Sequence, residues 1–133
     1  MPFIIWNSTF SVGVKEMDKQ HQIMIEIINH LYDLLIKSKG DRELNKVLNE
    51  MIGYTNFHFS SEENLLSTKG YPEYYRQKKE HDTFLQKTLE FQRDFQKGKM
   101  ALSLEVLQFL KVWWTQHIKI EDKKYTEFIS NLN

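Results

Sequence analysis

Four stretches of this chain place their core-type side chains at alternating spacings of three and four, and each stretch carries one histidine among them. The first runs His21, Met24, Ile25, Ile28, Tyr32 and Leu35, and the second Leu48, Met51, Thr55, His58, Glu62 and Leu65. The third runs Tyr74, Gln77, His81, Phe84, Thr88, Phe91 and Phe95, and the fourth Val106, Leu110, Trp113, His117 and Ile120. Such spacing brings side chains to one face of an α-helix, so each stripe is the inward side of an amphipathic helix. The breaks are short. Gly40-Asp41 reads as a helix end followed by an N-cap. Gly70-Tyr71-Pro72 reads as a stop and restart with Pro72 in the next first turn, and Gly98 ends the third segment. Asp18 is placed to cap the first helix. Four helices with short connections predict an all-α, up-down-up-down antiparallel four-helix bundle. Residues 1–17 lack the period and are expected to form an irregular N-terminal arm, with Phe3, Ile5 or Trp6 covering an end or side of the bundle. The whole of 1–133 is read as one domain.

Charge narrows the function classes. Eighteen Lys and Arg balance eighteen Asp and Glu, so no net field draws the chain to nucleic acid or an anionic membrane. No apolar run approaches the ~18 residues of a spanning helix. The opening MPFIIWNSTFSVG has no basic leader or small-residue cleavage site, and a cytoplasmic location is expected. With no cysteine there are no disulfides and no thiolate ligands, which excludes a thiolate-bound iron–sulfur cluster and leaves no haem-attachment motif.

The histidines occupy positions that the pattern assigns to the interior. A buried imidazole without a partner costs on the order of 1–3 kcal/mol, and the lone carboxylate of Glu62 on the same stripe costs more or takes up a proton. One such residue is an ordinary hydrogen-bonded core histidine. One per helix allows all four to meet in a single layer, and imidazoles with carboxylates inside a helical bundle suit iron, zinc or manganese. His30, nine residues after His21, faces away and ~13 Å along the axis, and is read as structural or surface.

The segments VGVKEMDKQH, HFSSEE, YP and WWTQHIKIEDKKY together resemble the bacterial hemerythrin family, in order, from Trp6 to Tyr125. The resemblance implies a four-helix bundle holding two non-haem iron ions, with an oxo or hydroxo bridge, that binds dioxygen reversibly as a carrier, store or sensor. It implies that His21 and His58 hold one iron, that Glu62 and Asp122 bridge the pair, and that His81 and His117 hold the other. The family has a further histidine four residues before His81, where this chain has Gln77. Gln77 binds through its amide oxygen, or water fills the place, or the second iron is held loosely and is partly occupied. Straight helical spacing favours Glu121, four residues past His117, over Asp122 at five; the family pattern selects Asp122, which requires a local widening or an ending of the helix.

Helical offsets from these ligands nominate Met24, Phe57, Trp113, Trp114 and Ile118 as the apolar wall of an oxygen pocket, with Phe84 and Tyr125 packing the site. No catalytic residue is nominated. The alternatives are a di-iron enzyme acting on peroxide, oxygen or nitric oxide at an open second iron, and a metal-free helical interaction module. The expected partner is dioxygen, and the chain is expected to be a monomer or weak homo-oligomer.

Overall fold

The computed structural model of the protein describes residues 2–98 and 103–132. Helices α1 (Lys15–Ile36), α2 (Asp41–Thr68), α3 (Tyr74–Gln96) and α4 (Leu104–Gln116) form the bundle, in up-down-up-down order. The fourth rod continues through a six-residue π-helical segment, His117–Asp122, into α5 (Lys123–Ser130). α1 packs on α2 and α4, and α2 on α3. Away from the histidine layer the interior is apolar, built from Ile28, Leu31, Leu48, Met51, Leu107 and Leu110, each about 1 % exposed or less.

The helix ends depart from expectation in detail. α1 starts at Lys15, so Asp18 lies within its first turn and does not cap it. Its carboxylate instead accepts from Ser11 Oγ at 2.6 Å and from the Val12 amide at 2.8 Å, tying the incoming chain to the helix. Gly40 is itself the N-cap of α2, with Asp41 the first helical residue. α1 ends at Ile36, and the turn that closes it is at Ser38, whose φ of 54° lets the Lys39 amide reach back to the Leu34 carbonyl. Gly70 makes the same turn at φ 71°, and the Tyr71 amide bonds to the Leu66 carbonyl at 2.9 Å. Pro72 lies in the turn before Glu73, the N-cap of α3, and not inside the helix.

The arm is shorter than the expected 1–17 but is firmly placed. Ile4 exchanges two hydrogen bonds with the Asn29 side chain, at 2.7 and 2.9 Å, and Phe3 stacks on Tyr32 at 4.2 Å. Trp6 stacks on Phe10. Ile5, expected as a possible cover, is exposed; Ile4, Phe10 and Val12 are the buried residues. Thr126 Oγ1 donates to the Val12 carbonyl at 2.6 Å, so the arm is pinned to both α1 and α5. Gly13 sits in that crossing at φ 72°, where a Cβ would stand 3.3 Å from the Thr126 methyl.

Ile120, placed on the inward stripe by its spacing from His117, is exposed. The π segment is the cause: a turn closed over five residues rather than four rotates everything after His117.

Candidate metal centre

The four histidines meet in one layer. His21 on α1, His58 on α2, His81 on α3 and His117 at the start of the π segment are all buried, with Glu62 and Asp122 among them. His21 Nε2 and His58 Nε2 are 3.1 Å apart, and His81 Nε2 and His117 Nε2 are 3.0 Å apart. Glu62 reaches both pairs: Oε2 lies 3.5 Å from His21 Nε2 and 3.6 Å from His58 Nε2, and Oε1 lies 3.2 Å from His81 Nε2. Asp122 reaches both as well, with Oδ2 3.2 Å from His21 Nε2 and Oδ1 3.2 Å from His117 Nε2. Two compartments result, His21–His58–Glu62–Asp122 and His81–His117–Glu62–Asp122, each with donor atoms all within 4.8 Å of one another.

The π segment decides between the two acidic candidates. By closing over five residues it aligns Asp122 with His117 and sends Glu121 outward, where Arg76 and Lys124 pair with it at 3.0 and 3.3 Å. In an unbroken α-helix Glu121 would point inward.

The outer nitrogens of three rings face residues that the sequence did not nominate as ligands. Gln20 Oε1 lies 2.7 Å from His58 Nδ1, and the amide is oriented by Gln20 Nε2 donating to Glu16 at 3.2 Å. Glu63 Oε2 lies 2.8 Å from His81 Nδ1, and Glu80 Oε2 3.5 Å from His117 Nδ1. Each is the immediate neighbour of an inward residue on its own helix: Gln20 of His21, Glu63 of Glu62, Glu80 of His81. Each serves the histidine of the next helix, so only the packing reveals the pairing. Tyr125, expected merely to pack, donates from its hydroxyl to Glu62 Oε2 at 2.7 Å.

These contacts test whether the layer suits a cation. The Nε2 atoms of His81 and His117, 3.0 Å apart, each also stand 3.2 Å from a carboxylate oxygen, Glu62 Oε1 and Asp122 Oδ1, so positive charge, carried by protons or by a cation, must lie among them. Nitrogens this close from facing helices would suit two ligands that converge on one ion. Glu62 Oε1, beside His81, and Asp122 Oδ2, beside His21, are buried without a hydrogen-bond partner among the described residues, one in each compartment. The donor set of imidazole and carboxylate, without sulfur, fits iron.

With protons in place of a cation, the same geometry splits the imidazoles. Burial pulls His21 down, but bonds to Asp122 and Glu62 outweigh it and lift the ring to about 9. Burial opposes His117 likewise, and Asp122 and Glu80 raise it to about 10. His58 has no direct bond to a carboxylate, and burial leaves it lowered to about 4. Burial pushes Glu62 up, yet the surrounding histidines hold it well below the usual carboxylate range, and Asp122 is lowered by His117 and His21 against burial and Glu62. Burial beside Glu62 pushes the Tyr125 hydroxyl well above its ordinary value.

Gln77 is buried with its amide nitrogen 2.8 Å from Asp122 Oδ1 and its Oε1 without a partner. The apolar surroundings correct part of the expected wall. Met24, Trp114 and Ile118 are buried, and Trp114 lies against His58 with ring centres 5.9 Å apart. Trp113 is only half-buried and stacks on His117 at 4.4 Å and on Phe84 at 4.0 Å, beside the other compartment. Phe57 is 54 % exposed in a surface groove with Ile23, Ile27 and Tyr54 and is no part of a wall. Its offset of one from His58 turns it ~100° away. The aromatic that packs the interior is Phe59, stacked on His81 at 3.8 Å. His30 is exposed, as expected. Among the described residues no helix is long and apolar enough to cross a membrane.

Comparison with known proteins places this arrangement. The family described as Hemerythrin HHE cation binding domain matches residues 12–129. The bacteriohemerythrin of Stenotrophomonas maltophilia is 31 % identical over 127 residues, spanning 96 % of this chain and 82 % of the relative. That of Methylococcus capsulatus is 30 % identical over 132 residues, spanning 98 % of this chain and 99 % of the relative. Crystal structures of hemerythrin superpose with a TM-score of 0.89 at 28 % identity for the wild type, covering 94 % of this chain and 96 % of that one. A leucine-to-alanine variant gives 0.91 at 29 % identity, covering 96 % and 97 %. With a family match across nearly its whole length and the family's fold around a converging layer of imidazoles and carboxylates, this chain belongs to the hemerythrin family.

Proposed function

We propose that the protein binds dioxygen reversibly, as a carrier, store or sensor, at two non-haem iron ions held in the histidine layer. His21 and His58 hold one ion, His81 and His117 the other, and Glu62 and Asp122 serve both. The observation that carries this reading is the sharing: both carboxylates lie within 3.6 Å of imidazole nitrogens from each pair. The ions supply the electrons and the coordination position that dioxygen needs.

The chain supplies orientation and dryness. Gln20 fixes the His58 ring with Nε2 inward, and the Tyr125 hydroxyl holds Glu62 in place from outside. Trp114, against His58, and the buried Met24 and Ile118 are the apolar residues that we assign to keeping water from the His21–His58 side. That side keeps its full histidine set and is the end we assign to the gas. Gln77 contributes a neutral amide to the other compartment, which lowers the donor strength there and shortens the life of the oxygenated form. The same weak position favours one second reading, an enzyme that turns over peroxide, oxygen or nitric oxide at the second ion.

Iron content per chain, with optical spectra of the reduced protein before and after air and again after deoxygenation, tests the proposal. Two irons and a spectrum that returns on deoxygenation are expected. Repeated oxygen consumption with added reductant selects the enzyme reading, and iron near zero after loading overturns both.

A further inference from the structure

The residues behind the four rings are not distributed evenly. In the His21–His58 compartment, His58 rests on the neutral amide of Gln20, and His21 Nδ1 has no hydrogen-bond partner among the described residues. In the His81–His117 compartment both rings face carboxylates, Glu63 at 2.8 Å and Glu80 at 3.5 Å. The other Glu63 oxygen lies 3.7 Å from Lys78 Nζ, which helps to keep that carboxylate turned toward His81. Glu80 is part-exposed; its Oε2 is buried without a hydrogen-bond partner among the described residues and stands at ion-pair distance, 3.5 Å, from His117 Nδ1, a looser contact than that of Glu63 with His81.

An imidazole whose outer N–H donates to a carboxylate is a stronger donor at its inner nitrogen, and loss of such a partner costs metal affinity about 10–100-fold. Both anionic partners therefore sit behind the compartment that contains Gln77. We infer that Glu63 and Glu80 are positioning residues that compensate for Gln77, strengthening His81 and His117 so that the second compartment retains its cation. The inference rests on the proposal that the layer holds two ions. It separates the two compartments by design: one relies on neutral support and leaves a weakly donating pair for a ligand, while the other relies on borrowed negative charge.

The test is stepwise calorimetric titration of ferrous ion, without oxygen, into the metal-free full chain. Wild type, Glu63→Gln, Glu80→Gln, and each of these combined with Gln77→His are compared, with helicity recorded for all. The wild type is expected to take up two equivalents. Each single substitution should weaken the second equivalent about 10–100-fold with the first unchanged, and Gln77→His should restore it. Two equivalents bound equally by wild type and both single variants would overturn the compensation while leaving the di-iron proposal intact. Weakening of both equivalents together, or no restoration by Gln77→His, would equally overturn it and assign the carboxylates to packing. No uptake by the wild type would overturn the underlying proposal itself.

Discussion

Removing the metal should leave the protein with a stability maximum near pH 6.5. In the metal-free layer His21 and His117 are raised to about 9 and about 10. A raised histidine stabilises the fold fully below its unfolded value of 6.5, and the contribution is lost as pH climbs through the folded value. Each pKa unit corresponds to about 1.4 kcal/mol, so the shifts amount to about 3 kcal/mol for His21 and about 5 kcal/mol for His117. Both rings lean on Asp122 at 3.2 Å, so the joint loss falls short of their sum. On the acid side the sign reverses. His58, lowered to about 4, stabilises above 6.5 and loses that contribution as pH falls toward 4, again about 3 kcal/mol. Glu62 and Asp122, both lowered, lose theirs as pH falls below the ordinary carboxylate range. Losses of this size consume much of the 5–15 kcal/mol that a domain has in total. Urea unfolding followed by helical circular dichroism, from pH 4 to 10 in excess chelator, measures the curve. The iron-loaded protein should lose the alkaline arm, because its imidazoles are already deprotonated toward the ion, and keep a steep acid arm. Metal-free stability that stays level or rises between pH 6.5 and 9 would refute the claim that these rings hold protons against the shared carboxylates.

Three smaller perturbations check other parts of the architecture. Tyr125→Phe deletes the 2.7 Å bond to buried Glu62 and should cost about 1.5–3 kcal/mol in urea unfolding of the metal-free protein. Gly70→Ala should cost about 1–2 kcal/mol by the same assay, all of it conformational, since a Cβ there meets no atom within 4 Å while φ is 71°. Phe57→Ala should change stability by under about 0.5 kcal/mol and leave the decay of the oxygenated spectrum unchanged, whereas Met24→Ala, fully buried, should cost about 2–5 kcal/mol and speed that decay.

The four rods, the turn at Gly70 and the inward histidines were legible in the sequence because helical periodicity is a local property: residues three and four apart share a face whatever surrounds them. The same local rule sets the helical offset between His58 and Glu62, and it explains why single-residue neighbours such as Phe57 turn away from the ligands they adjoin. What the spacing alone left open was everything that depends on a second helix. Asp122 rather than Glu121 points inward because the π segment widens one turn against α3, where Arg76 takes Glu121. Gln20, Glu63 and Glu80 look like solvent-facing neighbours of the ligands on their own helices; each becomes a partner only when the adjoining helix brings a ring nitrogen to it. Charge and donor strength in the layer follow from that packing, since a contact across helices is fixed by the register between rods, and no one-dimensional period encodes register.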